Sequence, residues 1–256
     1  MSETKPSGIP KILHYCWFGG NPLPEKAAAN IAHWQELMPE YEIQRWDESN
    51  FDVDECRFVR GAYDAKKWAF VSDYARFKVL YDNGGVYMDI GSELLKSIDP
   101  LVEQSGFTAL DWQVKTVAPG LVLAAGGHHH LLGETLEEYR ALEFEDTKEF
   151  LYGHTVNLML EKVLNRYGFQ RGADALWEYE DFRVYPSEYF CPKLDFGGFK
   201  CTENTYSTHV STASWVPAGE RYRNAFINKW APRVGDFAAR KTARILTLLK
   251  FRKDER

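Results

Sequence analysis

Hydrophobic residues follow two different spacings along the first part of the chain, and together these spacings predict a layered α/β fold. Residues 9–20, "IPKILHYCWFGG", form a β-rich apolar run closed by glycines, and residues 41–49 predict a second strand. Between them, residues 24–39 place apolar side chains at helical spacing. The order strand, helix, strand is typical of a sheet with crossover helices, so we expect one α/β domain over residues 9–235.

The segment that follows predicts a buried helix leading into a buried strand. Residues 64–83 carry two apolar stripes at helical spacing, and Gly84 supplies the conformational freedom that ends a helix. The next residues, "VYMDI" at 86–90, are apolar on both faces except for Asp89. Ligands in open α/β sheets bind beyond the carboxyl ends of strands, so we expect Asp89 to face a cleft.

The remaining pattern predicts further strands within residues 116–125, 182–190 and 204–216, and helices within 131–142 and 155–168. Residues 1–8 are polar and predicted to be disordered. Residues 236–256 combine basic and apolar residues at helical spacing. This tail fits either an interfacial helix on anionic lipid or a C-terminal helix that packs on the core with a solvated basic face.

Composition narrows the classes of function. The chain of 256 residues is 45% hydrophobic and 27% charged, which is typical of a soluble globular protein, and its aromatic content of 15% suits a sugar or nucleotide binder. A net charge of −6 argues against general nucleic-acid binding. The four cysteines form no CxxC pair, and the N-terminus lacks the apolar run of a signal peptide. We therefore expect a cytoplasmic protein, with the tail allowing peripheral contact at the inner face of the membrane.

A polar patch interrupts the buried helix before Gly84. Ser72, Asp73 and Arg76 lie at positions i, i+1 and i+4, and a buried Arg or Asp normally requires a partner. Two interpretations follow from the residues alone. Asp73 and Arg76 either pair with each other to fix the helix on the sheet, or they face a ligand beside Asp89.

The block "FVSDYARFKVLYDNGGVYMDIGSELLKSIDPLV" resembles the core of the glycosyltransferase family 32 sugar transferases, which are related to clostridial glucosylating toxins and yeast mannosyltransferases. "IPKILHYCWFGG", "RVYPSEYFCP" and "NTYSTHVSTASW" resemble other motifs of that family. The resemblance implies a GT-A fold with a Rossmann-like mixed sheet. It also implies retaining transfer from a nucleotide sugar, most simply a UDP-sugar, to a glycan or lipid-linked acceptor in capsular polysaccharide or lipopolysaccharide synthesis.

The resemblance also implies roles for individual residues. Trp17 would stack on the nucleobase, as aromatic side chains do with bases. Asp73 and Arg76 match an element that holds donor hydroxyls, and Asp89 matches the first carboxylate of the Asp-x-Asp motif, which helps hold Mn²⁺ or Mg²⁺ against the donor diphosphate. Asp89, Arg76 and Asp73 are the predicted catalytic residues. The predicted donor-binding residues are Tyr15, Trp17, Ser72, Asp73, Arg76, Tyr87, Asp89, Ser214 and Trp215.

The chain departs from this motif at its second acidic position, which is Gly91. If the strand continued past Asp89, alternation would place Glu93 on the same side as Asp89. Our hypothesis is therefore that Asp89, Glu93 and His209 are the metal ligands. Gly91 also favours an alternative, a non-catalytic protein that binds nucleotide sugar or glycan.

The residues also bear on two other enzyme classes. A glycoside hydrolase needs two carboxylates that flank the scissile bond, and Asp73, Asp89 and Glu93 offer candidates. A nicotinamide dehydrogenase is disfavoured because no GxGxxG follows any predicted strand.

Overall fold

The computed structural model describes residues 8–112, 115–192 and 199–209 and, towards the C-terminus, 219, 222–223, 226–227, 229–230, 233 and 236–251. Contacts divide the chain into two compact units. The larger comprises residues 1–192 and 201–210, and the smaller comprises 193–200 and 211–256. In the described residues, no helix is both long enough and apolar enough to cross a bilayer.

Seven strands of the larger unit form one mixed sheet in the order β2-β1-β3-β6-β5-β8-β7. The first four strands along the chain are β1 (Ile12–Cys16), β2 (Glu42–Trp46), β3 (Gly85–Tyr87) and β4 (Ser92–Leu94). The others are β5 (Gly106–Ala109), β6 (Leu123–Ala125), β7 (Trp177–Tyr179), β8 (Phe182–Tyr185) and β9 (Ser207–His209). β4 and β9 pair with each other in a separate antiparallel ladder.

The direction of the strands brings several chain segments to one edge of the sheet. β1 is parallel to both β2 and β3, and β5 is parallel to β8. β6 is antiparallel to both β3 and β5, so β3 and β5 run in the same direction. The carboxyl ends of β1, β3, β5 and β8 therefore meet at one edge, where α/β sheets commonly bind ligands.

The described helices of the larger unit are α1 (Glu25–Leu37), α2 (Arg57–Asp64), α3 (Trp68–Asn83), α4 (Asp99–Val102), α5 (His130–Arg140), α6 (Lys148–Gly153) and α7 (Val156–Leu164). The bounds of α1, α3, α5 and α7 agree with the apolar spacing to within a few residues, whereas α2, α4 and α6 are additional to the predicted helices. The smaller unit contains α8 (Asp236–Phe251). α3 is buried along most of its length, as its two apolar stripes predict. Its polar residues Asp73 and Arg76 are buried as well.

The two glycines after α3 are required by a close approach of the backbone. Gly84 and Gly85 both have positive φ, 67° and 108°. A Cβ on Gly85 would lie 2.6 Å from the carbonyl oxygen of Ile12 and 2.9 Å from the ring of His14. Glycine at this position thus lets β3 enter the sheet directly beside β1.

His14 fixes this junction from inside the sheet. Its Nδ1 accepts a hydrogen bond from the indole N–H of Trp46 at 2.9 Å, so its Nε2 is left to donate to the carbonyl oxygen of Gly84, also at 2.9 Å. Burial lowers the pKa of His14 to about 4, although the Gly84 carbonyl opposes the shift. The neutral ring therefore ties β1, β2 and the end of α3 together.

Candidate functional site

Asp89 lies beyond the end of β3, in a short turn rather than in a strand. The amide of Asp89 donates to the carbonyl oxygen of Gly120 at 2.9 Å, and the amide of Ser92 donates to the carbonyl oxygen of Asp89 at 2.9 Å. α1 holds the same turn from the other side. The Asn30 side chain donates to the Ile90 carbonyl at 2.8 Å, and the Trp34 indole donates to the Ser92 carbonyl at 3.0 Å. These bonds fix the backbone on which Asp89 is carried.

Arg76 lies at the centre of a cluster of polar side chains at this edge of the sheet. Its Nη2 lies 2.7 Å from Asp73 Oδ1 and 3.5 Å from Asp89 Oδ1. The guanidinium carbon stands 4.7 Å from the centroid of the Tyr87 ring, and the Tyr87 hydroxyl donates to Asp89 Oδ1 at 2.8 Å. The cluster thus brings together Asp73, Arg76, Tyr87 and Asp89, four of the predicted donor-binding residues.

The two ends of the cluster differ in their access to solvent. The Arg76 side chain is 4% exposed and that of Asp73 is 12% exposed, whereas the Asp89 side chain is 36% exposed. Arg76 Nη1 is buried and has no hydrogen-bond partner among the described residues. An unsatisfied donor on a buried cation is costly, so this atom is suited to a ligand oxygen.

The electrostatics of the cluster follow from its burial. Burial raises the pKa of Asp73 to about 7, with Arg76 opposing the shift and Asp89 adding to it. For Arg76, burial lowers the pKa, but Tyr87, Asp89 and Asp73 outweigh that effect and leave the pKa above its usual range. Arg76 therefore keeps its positive charge inside the protein.

Asp73 also accepts a hydrogen bond from the backbone of α7. The amide of Val156, the first residue of that helix, donates to its carboxylate, and this bond lowers the pKa of Asp73. Thr155, at the N-cap, makes no side-chain capping bond. Asp73 is thus held between Arg76 and the positive end of a helix, which favours its carboxylate. Asp73 therefore contacts both Arg76 and the start of α7, and its predicted catalytic and donor-binding role stays a prediction.

Gly120 is a component of the site that the sequence pattern did not reveal. A Cβ at this position would lie 2.4 Å from Asp89 Oδ2 and 3.0 Å from Arg76 Nη1. Its φ is not positive, so the backbone conformation itself does not require glycine. The absence of a side chain at position 120 therefore makes room for the carboxylate and the guanidinium.

Cys16, rather than Tyr15, faces this cluster from β1. Tyr15 is 7% exposed and packs edge-on against Trp34 in the hydrophobic core. The Cys16 thiol interacts with Tyr87, Arg76 and Asp89, and its burial raises the pKa of the thiol to about 12. Cys16 therefore contributes a neutral, unreactive wall.

Trp17 and Ser72 lie near the ends of the elements that carry the cluster. Trp17 follows β1 and is half-buried, and its indole donates to the carbonyl oxygen of Asn21 at 2.6 Å. The Ser72 hydroxyl donates to the carbonyl oxygen of Trp68 at 3.0 Å, within its own helix. Both roles in donor binding stay predictions. The predicted residues Ser214 and Trp215 lie outside the described residues.

The three predicted metal ligands lie on elements that the described structure does not gather into a metal site. The strand does not continue past Asp89, because β3 ends at Tyr87 and a turn leads into β4. Glu93 is exposed on β4 opposite Thr208, while His209 pairs with Ser92. Nowhere in the described part of the chain do three His, Cys, Asp or Glu side chains gather as a metal site. The argument from alternation does not apply here, because alternation holds only within a continuous strand, and the ligand set Asp89, Glu93 and His209 stays a prediction.

The sequence matches a known family over part of its length. Residues 24–108 match the model described as a glycosyltransferase sugar-binding region containing a DXD motif. The chain is also 32% identical over 104 residues to inositol phosphoceramide mannosyltransferase 3 of Schizosaccharomyces pombe. That alignment covers 39% of this chain and 29% of the yeast protein, so the match spans less than a third of that relative.

Comparison with solved structures identifies the fold. The PaToxG glycosyltransferase superposes with a TM-score of 0.51 at 15% identity, covering 64% of this chain and 71% of that one. A glycosyltransferase involved in glycosylation of the major capsid of PBCV-1 covers 83% of this chain and 97% of its own, with a TM-score of 0.43 at 10% identity. The first similarity, together with the seven-stranded mixed sheet, confirms the predicted GT-A fold.

Proposed function

We propose that the chain is a retaining glycosyltransferase that moves a sugar from a nucleotide-sugar donor, most simply a UDP-sugar, to a glycan or lipid-linked acceptor. The proposal is supported by the matching segment, by the fold and by the polar cluster at the carboxyl edge of the sheet. The observation that carries it is the buried Nη1 of Arg76, which has no partner in the described part of the chain, beside the half-exposed carboxylate of Asp89. A ligand with both acceptor oxygens and hydroxyl donors satisfies this pair.

A sugar bound at this edge would use the two groups differently. Arg76 offers a fixed guanidinium donor to a hydroxyl or phosphate oxygen, and its burial strengthens that interaction. Asp89 offers acceptor oxygens to the hydroxyls of the donor sugar. Tyr87 orients Asp89 through its hydroxyl, and Asp73 orients Arg76. We assign Trp17 to the nucleobase because it follows the parallel neighbour β1 at the same edge.

Breaking the bond to the sugar leaves negative charge on the departing diphosphate. Arg76 keeps its charge in this buried position, and such fixed charges stabilise developing charge more strongly than water does. Asp73 is buried and already bonded to Arg76 and to the α7 amide, so it is poorly placed to attack the sugar. We therefore favour attack by the acceptor hydroxyl on the face that the diphosphate leaves, with the leaving phosphate accepting the proton. An inverted product, detected by NMR, would contradict this course.

The described residues do not fit a metal ion held by three protein ligands, and Asp89 is the single carboxylate of the motif that remains. Mn²⁺ or Mg²⁺ would then depend mainly on oxygens of the diphosphate. For this reason the roles above are assigned to Arg76, Tyr87 and Asp89 alone.

The finer biological setting is also a proposal. The resemblance to family 32 enzymes points to synthesis of a bacterial surface polysaccharide, at the cytoplasmic face of a membrane. On α8, Phe237 is 83% exposed and Ile245 is 51% exposed. The basic residues Arg240, Lys241 and Arg244 are exposed on the same helix. This combination suits contact with an anionic lipid surface.

A ligand screen tests the proposed function. UDP, GDP and their sugar conjugates should be compared for thermal stabilisation of the chain, with and without MnCl₂, because a ligand that binds the native state raises its midpoint. Arg76→Lys should lose at least tenfold in affinity for the nucleotide sugar, since lysine lacks the second fixed donor. Arg140→Lys, in an exposed arginine that pairs with Glu137, is the matched control. Stabilisation by none of the nucleotides, or equal affinity in Arg76→Lys, would contradict the proposal.

A non-catalytic binder of nucleotide sugar is the second candidate, and Gly91 is the observation that favours it. Such a protein would be stabilised by the donor but would neither transfer the sugar nor hydrolyse the donor slowly. A glycoside hydrolase is disfavoured because Asp73 is buried and engaged, which leaves Asp89 without a nearby accessible carboxylate at this cluster.

A further inference from the structure

A second concave site lies away from the Arg76 cluster, on the sheet near β7 and β8. It has a volume of about 380 Å³, which is within the range of small-ligand sites. Its walls include Tyr185, Tyr189 and Tyr206, and we call it the tyrosine pocket. Nothing in the proposed chemistry at Asp89 uses these residues.

The three tyrosines form a preorganised wall. Tyr185 and Tyr189 stack with ring centroids 4.8 Å apart, and Tyr189 and Tyr206 stack at 6.1 Å with an interplanar angle of 14°. The amide of Tyr206 donates to the carbonyl oxygen of Tyr189 at 2.7 Å. Glu188 accepts hydrogen bonds from Thr202 and Asn204, at 3.0 Å and 3.1 Å. These contacts fix the segment carrying Tyr206 against the segment carrying Tyr189, so binding requires little ordering of the wall.

The charges of the pocket argue against an anionic ligand. Arg183 is its one lining cation among the described residues, and it donates to Glu178 and Gln104, both at 2.5 Å. Glu178 and Glu203 also line the pocket, so carboxylates outnumber the guanidinium. Beside the lining, Lys96 lies 4.1 Å from the centroid of the Tyr206 ring and donates to the carbonyl oxygen of Glu203. Among the described residues, a phosphate would therefore meet only cations that are already engaged, next to two carboxylates that repel it. The pocket instead presents amides, carboxylates and tyrosine hydroxyls, which suit a neutral polyhydroxyl ligand.

The apolar part of the lining narrows the chemical class of ligand that fits the tyrosine pocket. Leu176 is 48% exposed at the pocket, and the tyrosine rings add flat apolar surface. A pyranose presents aliphatic C–H groups on its faces and hydroxyls around its rim, so it matches a wall that is apolar with polar edges. From this match we infer that the tyrosine pocket binds neutral saccharide units.

The pocket is linked to the Asp89 turn through the β4–β9 ladder. The amide of Leu95 donates to the carbonyl oxygen of Tyr206 at 2.8 Å, directly after β4. Leu95 is six residues beyond Asp89, which is at most about 20 Å of extended chain. An oligosaccharide acceptor can bridge such a distance, so, given the proposed function, the pocket serves as a distal acceptor subsite. Saccharide binding itself does not depend on that function.

Binding of defined oligosaccharides to the full chain tests the inference. The probes are maltotetraose, cellotetraose and mannotetraose, with tetragalacturonic acid as the charged comparison, measured by calorimetry without nucleotide. Wild type should bind at least one neutral probe more tightly than the charged one. Leu176→Glu places a charged side chain in the pocket from an exposed position and should weaken binding at least tenfold. Ile245→Glu alters a similarly exposed aliphatic residue on α8 and should leave it unchanged.

A second substitution addresses the tyrosines without removing their packing. Tyr189→Phe keeps the stacked ring but deletes the hydroxyl, and a severalfold loss of affinity is expected. Failure of every neutral probe to bind, unchanged affinity in Leu176→Glu, or tighter binding of tetragalacturonic acid would overturn the inference. UDP and GDP are titrated into the same samples. Nucleotide binding without saccharide binding would overturn only the inference that the tyrosine pocket binds saccharides. Saccharide binding without nucleotide binding would overturn the proposed donor site and would leave the inference about the pocket intact.

Discussion

Replacing Gly120 by alanine tests whether the position of Asp89 controls the reaction. The added Cβ would lie 2.4 Å from Asp89 Oδ2, whereas a carbon and an oxygen in ordinary contact are about 3.3–3.6 Å apart. The carboxylate or the turn that carries it must therefore move by about 1 Å. The same Cβ would lie 3.0 Å from Arg76 Nη1, so the guanidinium is also crowded.

The size of the expected effect follows from that displacement. A misplacement of about 1 Å in a reacting group costs about 100-fold in rate, which corresponds to about 2.7 kcal/mol of transition-state stabilisation. Backbone strain adds little, because Gly120 does not have positive φ. We therefore expect kcat/KM of Gly120→Ala to fall about 100-fold.

The assay is transfer or slow hydrolysis of the nucleotide sugar that best stabilises the wild-type chain. Thermal unfolding of each variant shows whether it is folded. Gly153→Ala is the control, because a Cβ at position 153 meets no atom of the described residues within 4 Å and Gly153 also lacks positive φ. A folded Gly120→Ala enzyme with kcat/KM within threefold of wild type would refute the reasoning. An equal loss in Gly153→Ala would show that the effect is not specific to the cluster.

Three other outcomes are expected. Because burial lowers the pKa of His14 from 6.5 to about 4, the unfolded chain binds the proton more readily; His14 should therefore contribute a fall of about 3 kcal/mol in the free energy of unfolding between pH 7 and pH 4, measured by urea titration as the difference in pH dependence between wild type and His14→Gln, and an equal pH dependence of the two would contradict the buried neutral ring. Glu93→Gln should leave nucleotide-sugar affinity within twofold of wild type with and without MnCl₂, because Glu93 is exposed on β4; a tenfold loss would restore Glu93 as a ligand. Deletion of residues 236–256 should preserve nucleotide stabilisation but abolish sedimentation with anionic vesicles, and unchanged sedimentation would count against lipid contact by α8.

The sequence predicts the elements of the sheet where one physical signal dominates. α3 follows from apolar residues around most of the helix, and the positive φ of Gly84 agrees with its predicted role as a terminator. The prediction for residues 116–125 is less accurate, because only Leu123–Ala125 forms a strand. Gly120 lies in the preceding loop, where its carbonyl accepts the Asp89 amide. That contact joins residues far apart along the chain, so local spacing does not reveal it.

Part of the candidate site was predictable, because a charged residue in an apolar segment requires a polar or charged partner. Asp73, Arg76 and Asp89 are polar residues among apolar ones, and the structure brings them together. The choice between Tyr15 and Cys16 was not predictable in this way, because both faces of β1 are buried and either residue suits an apolar wall. The metal hypothesis assumed a continuous strand through Asp89, and the turn found there was not predictable, since sequence alternation cannot show where a strand ends.

The bond between Asp73 and the first amide of α7 gives the molecule a natural reporter. The Asp73 carboxylate accepts hydrogen bonds from both Arg76 and the Val156 amide. A ligand that moves Arg76 away from Asp73 therefore changes the strength of the hydrogen bond between Asp73 and Val156. Hydrogen exchange at this single amide would then register occupancy of a cleft that Val156 need not touch. The first amide of α7 thus reports ligand binding at Arg76 through the carboxylate of Asp73, which contacts both.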